Sequence, residues 1–422
     1  MISKLTLKHF CIIGLLLTFN GSIVAQTETK LSLPECYEMA KENYPASKKL
    51  DLVAKTSEFD VANANRKYLP QVSFSGQATY QSETISFPGA AFPSISKDQY
   101  KAQGDVNQLL YDGGNIHHDK EIIKANSELQ KQNVEASLYA LNQRINNIYF
   151  GILLMDAQLK QSELNKSSLQ TQVQKTEAAF KNGVAFKSNV DELKAEMLNV
   201  EMSGTEYKSN RTGYLKMLSL FIGKELSPGT QLEIPETTDS AVSINRPELK
   251  AFDLQKTIYD AQEKRLQSDY LPQLSAFFQG AYGRPTLNIV ENEFGAWYIT
   301  GVRLNWSLSG LYTLKNKKQI LNLNRQTVEA DRETFLLNTN LDVSQQDEQT
   351  KKYSELIQQD TEAIALRESV TKSAEAQLSN GVITVHEYIQ KLNTENLAKQ
   401  TLILHQIQLQ QAKYNHKFLT GN

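Results

Sequence analysis

The 422-residue chain has little cysteine, no excess of charge of one sign and few long apolar runs, and each shortage removes a class of function. Its two cysteines are Cys11 and Cys36. Cys11 falls in a leader-like segment, so Cys36 is left as a lone thiol with no partner for a disulfide or a metal. The 45 Lys and Arg residues are balanced by 47 Asp and Glu. That balance gives no electrostatic basis for nucleic-acid binding. Beyond the leader, no segment holds 18 consecutive apolar residues, so no transmembrane helix is expected. A membrane β-barrel is not excluded, because alternating strands leave only a weak mark on averages. There is no Walker A loop, no GxGxxG after a strand, no HExxH and no paired CxxC. No catalytic, cofactor-binding or metal-ligating residues are therefore expected. His117 and His118 are adjacent and should diverge around a helix, which makes them a poor metal pair. His405 and His416 stand alone. Scattered carboxylates on wet helices do not make an acid–base catalyst without a pocket, so an enzyme is disfavoured.

What is present begins with MISKLTLKHFCIIGLLLTFNGSIVAQ. Lys4 and Lys8 give a positive start, Phe10 to Phe19 form a short apolar run, and Ala25 ends a small-residue cleavage site. Residues 1–25 are expected to be a secretory signal peptide. Gln26 would follow it, so no lipid anchor is expected. Without Lys4 and Lys8 the charge is 43 basic against 47 acidic residues, about −4.

The remainder is written twice. YLPQVSFSGQATY (68–80) matches YLPQLSAFFQGAY (270–282), GDVNQLLYDGG (104–114) matches GVRLNWSLSGL (301–311), and FKNGVAFKSNV (180–190) matches LSNGVITVHEY (378–388). Three matches in one order, each nearly two hundred residues apart, indicate two copies of one large unit. The first repeat is placed at 26–222, a linker at 223–246 and the second repeat at 247–422.

Each unit opens with a helix, at Leu33–Tyr68 and Pro247–Tyr270, which Pro70 or Pro272 ends. A strand follows. Val72, Phe74, Gly76, Ala78 and Tyr80 alternate with Gln71, Ser73, Ser75, Gln77 and Thr79, the period of a strand between two environments. A loop leads to a second alternating strand around Tyr100–Asn107 or Tyr298–Trp306. The strands of the two copies align at an offset of 198 but the following glycines at 197, so a one-residue bulge should lie between. Tyr80, Tyr100, Tyr282, Trp297 and Tyr298 stand near the loop ends, as in the aromatic girdles of outer-membrane barrels. Two polar segments then run without proline, from Asn115 to Lys181 and from Tyr312 to Ser379. Each is roughly 100 Å long as a helix. Asn182–Gly183 and Asn380–Gly381 reverse them. The returning helices run about Asn189–Ile222 and His386–Leu419.

Two units supply four strands, which cannot close a barrel, and open strand edges are not tolerated in lipid. Oligomerisation is therefore expected, and three chains would bring twelve strands. A fold of the α+β class, mostly α, follows. In a trimer the four transmembrane strands would form one third of the barrel, and the coiled-coil-like hairpins would combine into a tube, an α-barrel. The competing expectation is a periplasmic coiled-coil scaffold or adaptor without a channel.

LSLPECYEMAKENYP, the two YLPQ strand starts, LLYDGG, AFKNGVAFKSNVDELKAE, LSLFIGKELSPGTQL and NRPELKAFDLQ, in this order, resemble the TolC-type outer-membrane efflux protein family. The resemblance implies a homotrimer in outer-membrane lipid with a helical periplasmic tunnel, acting as the passive exit duct of an efflux or secretion system. It implies docking of a periplasmic adaptor that bridges to an inner-membrane transporter. On this resemblance the adaptor meets the tips at Gly183, Val184, Gly381 and Val382. The periplasmic entrance would involve Glu387 and Gln390. Leu378, Ile383 and Asn189 occupy positions where the family carries an ionic lock that these residues cannot make.

Overall fold

Proline ends the opening helix of each half, and in the first half it also interrupts it. The computed structural model describes residues 30–85, 95–236, 243–288 and 292–422. The expected signal peptide lies outside them. The helix expected over Leu33–Tyr68 is two helices, α1 (Leu33–Asn43) and α2 (Lys48–Arg66), joined by a 3-10 turn at Pro45–Ser47. Pro45 is the cause: it holds Tyr44 extended at φ −67°, ψ 127°. Ser32 and Glu35 close α1 with a reciprocal capping box.

Next come β1 (Gln71–Tyr80) and β2 (Asp98–Tyr111), then α3 (Asn115–Tyr139), α4 (Leu141–Lys181) and α5 (Lys187–Ile222). The second half repeats the order as α6 (Pro247–Ser268), β3 (Gln273–Arg284), β4 (Gly295–Asn305), α7 (Leu311–Ser379) and α8 (Val385–Thr420). The single long helix expected over Asn115–Lys181 is interrupted at Ala140, whereas its counterpart α7 runs unbroken for 69 residues.

The four strands form one antiparallel sheet in the order β1-β2-β3-β4. The register between β2 and β3 shifts between Leu109 and Tyr111. This is the bulge that the unequal offsets required, and it adds one residue to the first copy before its glycines. The helices follow the same lateral order as the strands. Towards the sheet, neighbours run α2–α3–α6–α7, and towards the tips they run α5–α4–α8–α7. The wall is thus one helix thick. One edge of the chain is β1, α2 and α5, and the other is β4 and α7.

The largest core sits at mid-height. Leu33, Cys36 and Ala40 of α1 pack against Leu138, Ile145, Tyr149 and Ile152 of the long rod and Leu218 of α5. Leu31 pairs with Leu232 of the linker in an isolated parallel bridge. The Tyr149 hydroxyl lies beneath both, 2.8 Å from the Leu31 carbonyl and 2.6 Å from that of Glu233. Cys36 is fully buried, and burial pushes its thiol up to about 12, which leaves it unreactive. A second core near the tips joins Leu169, Leu193, Val385, Tyr388 and Leu392.

Both edges remain apolar and uncovered. Ile320, Leu323, Leu337, Leu341, Leu366 and Val370 are exposed along α7. Leu52 and Phe59 of α2, and Leu198 and Met202 of α5, are exposed on the opposite edge.

Candidate functional site: a two-faced wall and its tips

In a strand, successive side chains point to opposite faces, so the pairing register sorts the whole sheet. Val72 pairs with Val106 and Val106 with Phe278, and Gly104 lies between Phe74 and Gly280. Tyr298, Val302 and Leu304 of β4 continue this face. Its large side chains are open: Phe74 is 86% exposed, Tyr298 67% and Leu304 64%. Tyr80 and Tyr282 stand towards the loops, while Trp306 and Tyr312 stand at the helix side, where the Trp306 indole donates to the Tyr270 carbonyl at 3.0 Å. Amphipathic rings at both ends of an apolar band suit the two interfaces of a bilayer. A ten-residue strand is about 33 Å long and roughly 23 Å tall at a tilt near 45°, close to the apolar band of an outer-membrane barrel.

The other face is polar. Ser73 pairs with Asp105 and Asp105 with Gln279, and Gln77 pairs with Lys101. Asp105 accepts hydrogen bonds from Gln103 at 2.6 Å and Gln279 at 2.7 Å. Arg303 lies 4.7 Å from the centre of the Phe277 ring. Trp297 falls on this polar face by register, opposite Ala281, and so does not join the aromatics of the apolar face as expected.

At the far end, both hairpins turn in the same way. Gly183 has φ +79° and Gly381 φ +71°. The Val184 amide donates to the Ala179 carbonyl and the Gly183 amide to Phe180, and Val382 and Gly381 repeat this with Gln377 and Leu378. These are Schellman caps, in which a left-handed residue satisfies the last carbonyls of a helix. A side chain on either glycine would meet open space, so the backbone angle alone requires glycine. The hydrophobic contact that often accompanies this cap is missing: Val184 is 79% exposed and Val382 71%.

The four tip residues expected from the sequence therefore form two separate but matching turns. Glu387 and Gln390 come together in a groove between α7 and α8, with Ser373, Gln377 and Lys391 beside them. One Glu387 oxygen accepts from the Thr384 amide at 2.8 Å and lies 3.0 Å from its hydroxyl, completing a capping box that starts α8. Those hydrogen bonds hold its carboxyl below the usual carboxylate range. Gln390 lies 3.0 Å from His386, whose other ring nitrogen is 2.8 Å from Glu192 on α5. Lys175 of α4 reaches Glu375 of α7 at 2.8 Å. These two links between hairpins involve long-range neighbours that no local sequence pattern marks.

His117 and His118 do not diverge as expected. Glu121 stands one turn ahead of both and draws the two rings towards itself. Its carboxylate lies 3.5 Å from His117 Nε2 and 2.7 Å from His118 Nδ1. The i, i+3 and i, i+4 spacing to a carboxylate was the available signal.

Residues 37–224 match the family described as outer membrane efflux protein. Solved structures match over 92% of this chain. CusC superposes with a TM-score of 0.70 at 13% identity, over 92% of its own chain. The outer membrane protein VceC of Vibrio cholerae gives 0.66 at 13% over 96% of its chain. The open state of the Neisseria gonorrhoeae outer membrane channel MtrE gives 0.65 at 12% over 89%. No curated protein matches the sequence. At these identities the structural likeness carries the fold.

Proposed function

We infer, from the match of residues 37–224 to the outer membrane efflux protein family and from the fold, that the chain forms the outer-membrane exit duct of a tripartite efflux system. The observation that carries this reading is the pair of unlike edges. A chain whose two lateral edges are different and both unsatisfied closes by head-to-tail contact, which generates a ring. β4 and α7 of one copy then meet β1, α2 and α5 of the next. Two copies would give eight strands, a barrel whose interior side chains fill. Three give twelve strands and leave an aqueous lumen. The exposed apolar face meets outer-membrane lipid, and the helices extend into the periplasm.

The polar face supplies the conduit. It presents mostly neutral amides and hydroxyls, with Lys101, Asp105 and Arg303 as its charges. Such a surface keeps the passage wet without a dedicated pocket, so transport is passive and selection lies with an inner-membrane transporter. A periplasmic adaptor would dock at the tips, where Val184 and Val382 offer apolar side chains that their own turns do not cover. Glu387 and Gln390 would border the periplasmic entrance. The N-terminal leader would direct export. The sheet's open apolar face argues against a channel-free scaffold or adaptor.

The test is purification in detergent followed by planar-bilayer recording. The expected results are a detergent-resistant trimer and stable ion conductance. A monodisperse monomer that stays soluble without detergent would sink the proposal.

A further inference from the structure

We propose that His117, His118 and Glu121 bind one divalent first-row transition-metal ion of the zinc type at the first turn of α3. One ligand atom from each residue lies within 4.8 Å of the other two, and among the described residues this is the one such group. Zinc bonds of about 2.1 Å in a tetrahedron set ligand atoms roughly 3.4 Å apart. His117 Nε2 and Glu121 Oε1 are already 3.5 Å apart. His118 Nδ1 and Glu121 Oε2, at 2.7 Å, need only part by a small side-chain rotation as the ion replaces their hydrogen bond. Two imidazoles and a carboxylate suit zinc, nickel or copper better than calcium or magnesium, which prefer oxygen alone.

The platform beneath the ligands is fixed. Asp112 accepts from the Gly114 amide at 2.9 Å and the Ile116 amide at 2.6 Å, locking the strand-to-helix turn. A site on a rigid helix start holds its geometry better than one on a loop. The site also stays open. His117 is 64% exposed and Glu121 39%, which leaves room for water or another ligand in the fourth position. α3 is flanked by α2 and α6 of its own chain, so ring closure at the outer edges does not cover it. A trimer would carry three such sites just below the barrel. Binding depends on one chain alone and so stands or falls separately from the channel reading.

The experiment uses the tag-free full chain in detergent, dialysed to equilibrium against zinc chloride, with bound metal measured per chain. The expected result is one zinc ion per chain, with affinity reduced at least about tenfold in Glu121→Gln and further in His117→Ala/His118→Ala. His386→Ala/His405→Ala, which removes histidines elsewhere, should bind as the parent does. Cobalt substituted into the parent protein should give the intense visible absorption of a tetrahedral site. This reading needs no variant and decides the matter if a variant fails to fold. The proposal is overturned if the parent chain retains no zinc, if folded variants retain as much as it does, or if cobalt shows only its octahedral spectrum.

Discussion

The first hairpin buries Tyr149, Phe150, Ile152 and Leu169 along α4, whereas α7 of the second, 69 residues long, buries only Val328, Thr339, Thr371 and Ala374. The return helices contrast in the opposite sense. α8 begins with the Thr384–Glu387 capping box, while α5 begins at Phe186 with no side-chain acceptor and a 77% exposed ring. One unit, copied, has been finished for two positions in a wall. The α4 rod has neighbours from its own chain on both flanks. The α7 rod has one flank occupied and one uncovered. Where packing is thin along the rod, the turn at its end is the better secured.

The sharpest way to break this contrast is at the open flank. Leu337→Lys with Leu341→Lys should abolish the proposed trimer, as read by light scattering in detergent. Leu164→Lys on α4, equally exposed but away from the edge, should leave assembly intact. Next in size are Gly183→Val and Gly381→Val, each costing about 1–2 kcal/mol because an L side chain is forced into the left-handed region. Hydrogen exchange should show each effect confined to its own tip. Smaller still, Thr384→Ala should cost about 1 kcal/mol at the start of α8. Phe186→Ser should slow exchange at the start of α5 by supplying the acceptor it lacks.

The smallest effect is one of pH. Glu387 has a folded pKa below its ordinary value, so its contribution to the cap is present above the unfolded carboxylate range and is lost as pH falls through the folded value. Exchange at the start of α8 should quicken on acidification in the parent and be insensitive in Glu387→Gln. Equal acid sensitivity at the start of α5 would contradict the contrast between the tips.

The features legible in the sequence are those with a local cause. Period-two alternation marked the strands, Pro70 and Pro272 marked helix ends, and the Asn–Gly pairs marked the tips. A one-residue discrepancy between two alignments located the bulge near Leu110. Pro45 is an equally local signal, and it makes two helices of the single one expected over Leu33–Tyr68. Ser32–Glu35 and Thr384–Glu387 both carry the S/T-x-x-E pattern of a capping box, which assigns Glu387 a task in its own helix. Ala140 offered no signal, being a good helix former. The lateral order of the helices and the His386–Glu192 link arise from contacts between residues far apart in the chain, which periodicity does not report.

The unbroken length of α7 has a consequence for how this molecule can change. It is a ruler laid from the foot of β4 to the second tip, with no joint where a length error could be absorbed. The first copy reaches its tip through residues 115–181, with Ala140 as its single interruption. Insert one helical turn in either rod alone and the two tips no longer end level, and any body that must seat on both at once would find one out of reach. Lengthening the proposed duct therefore demands matched edits in both copies. The duplication that built the wall also ties the future of each half to the other.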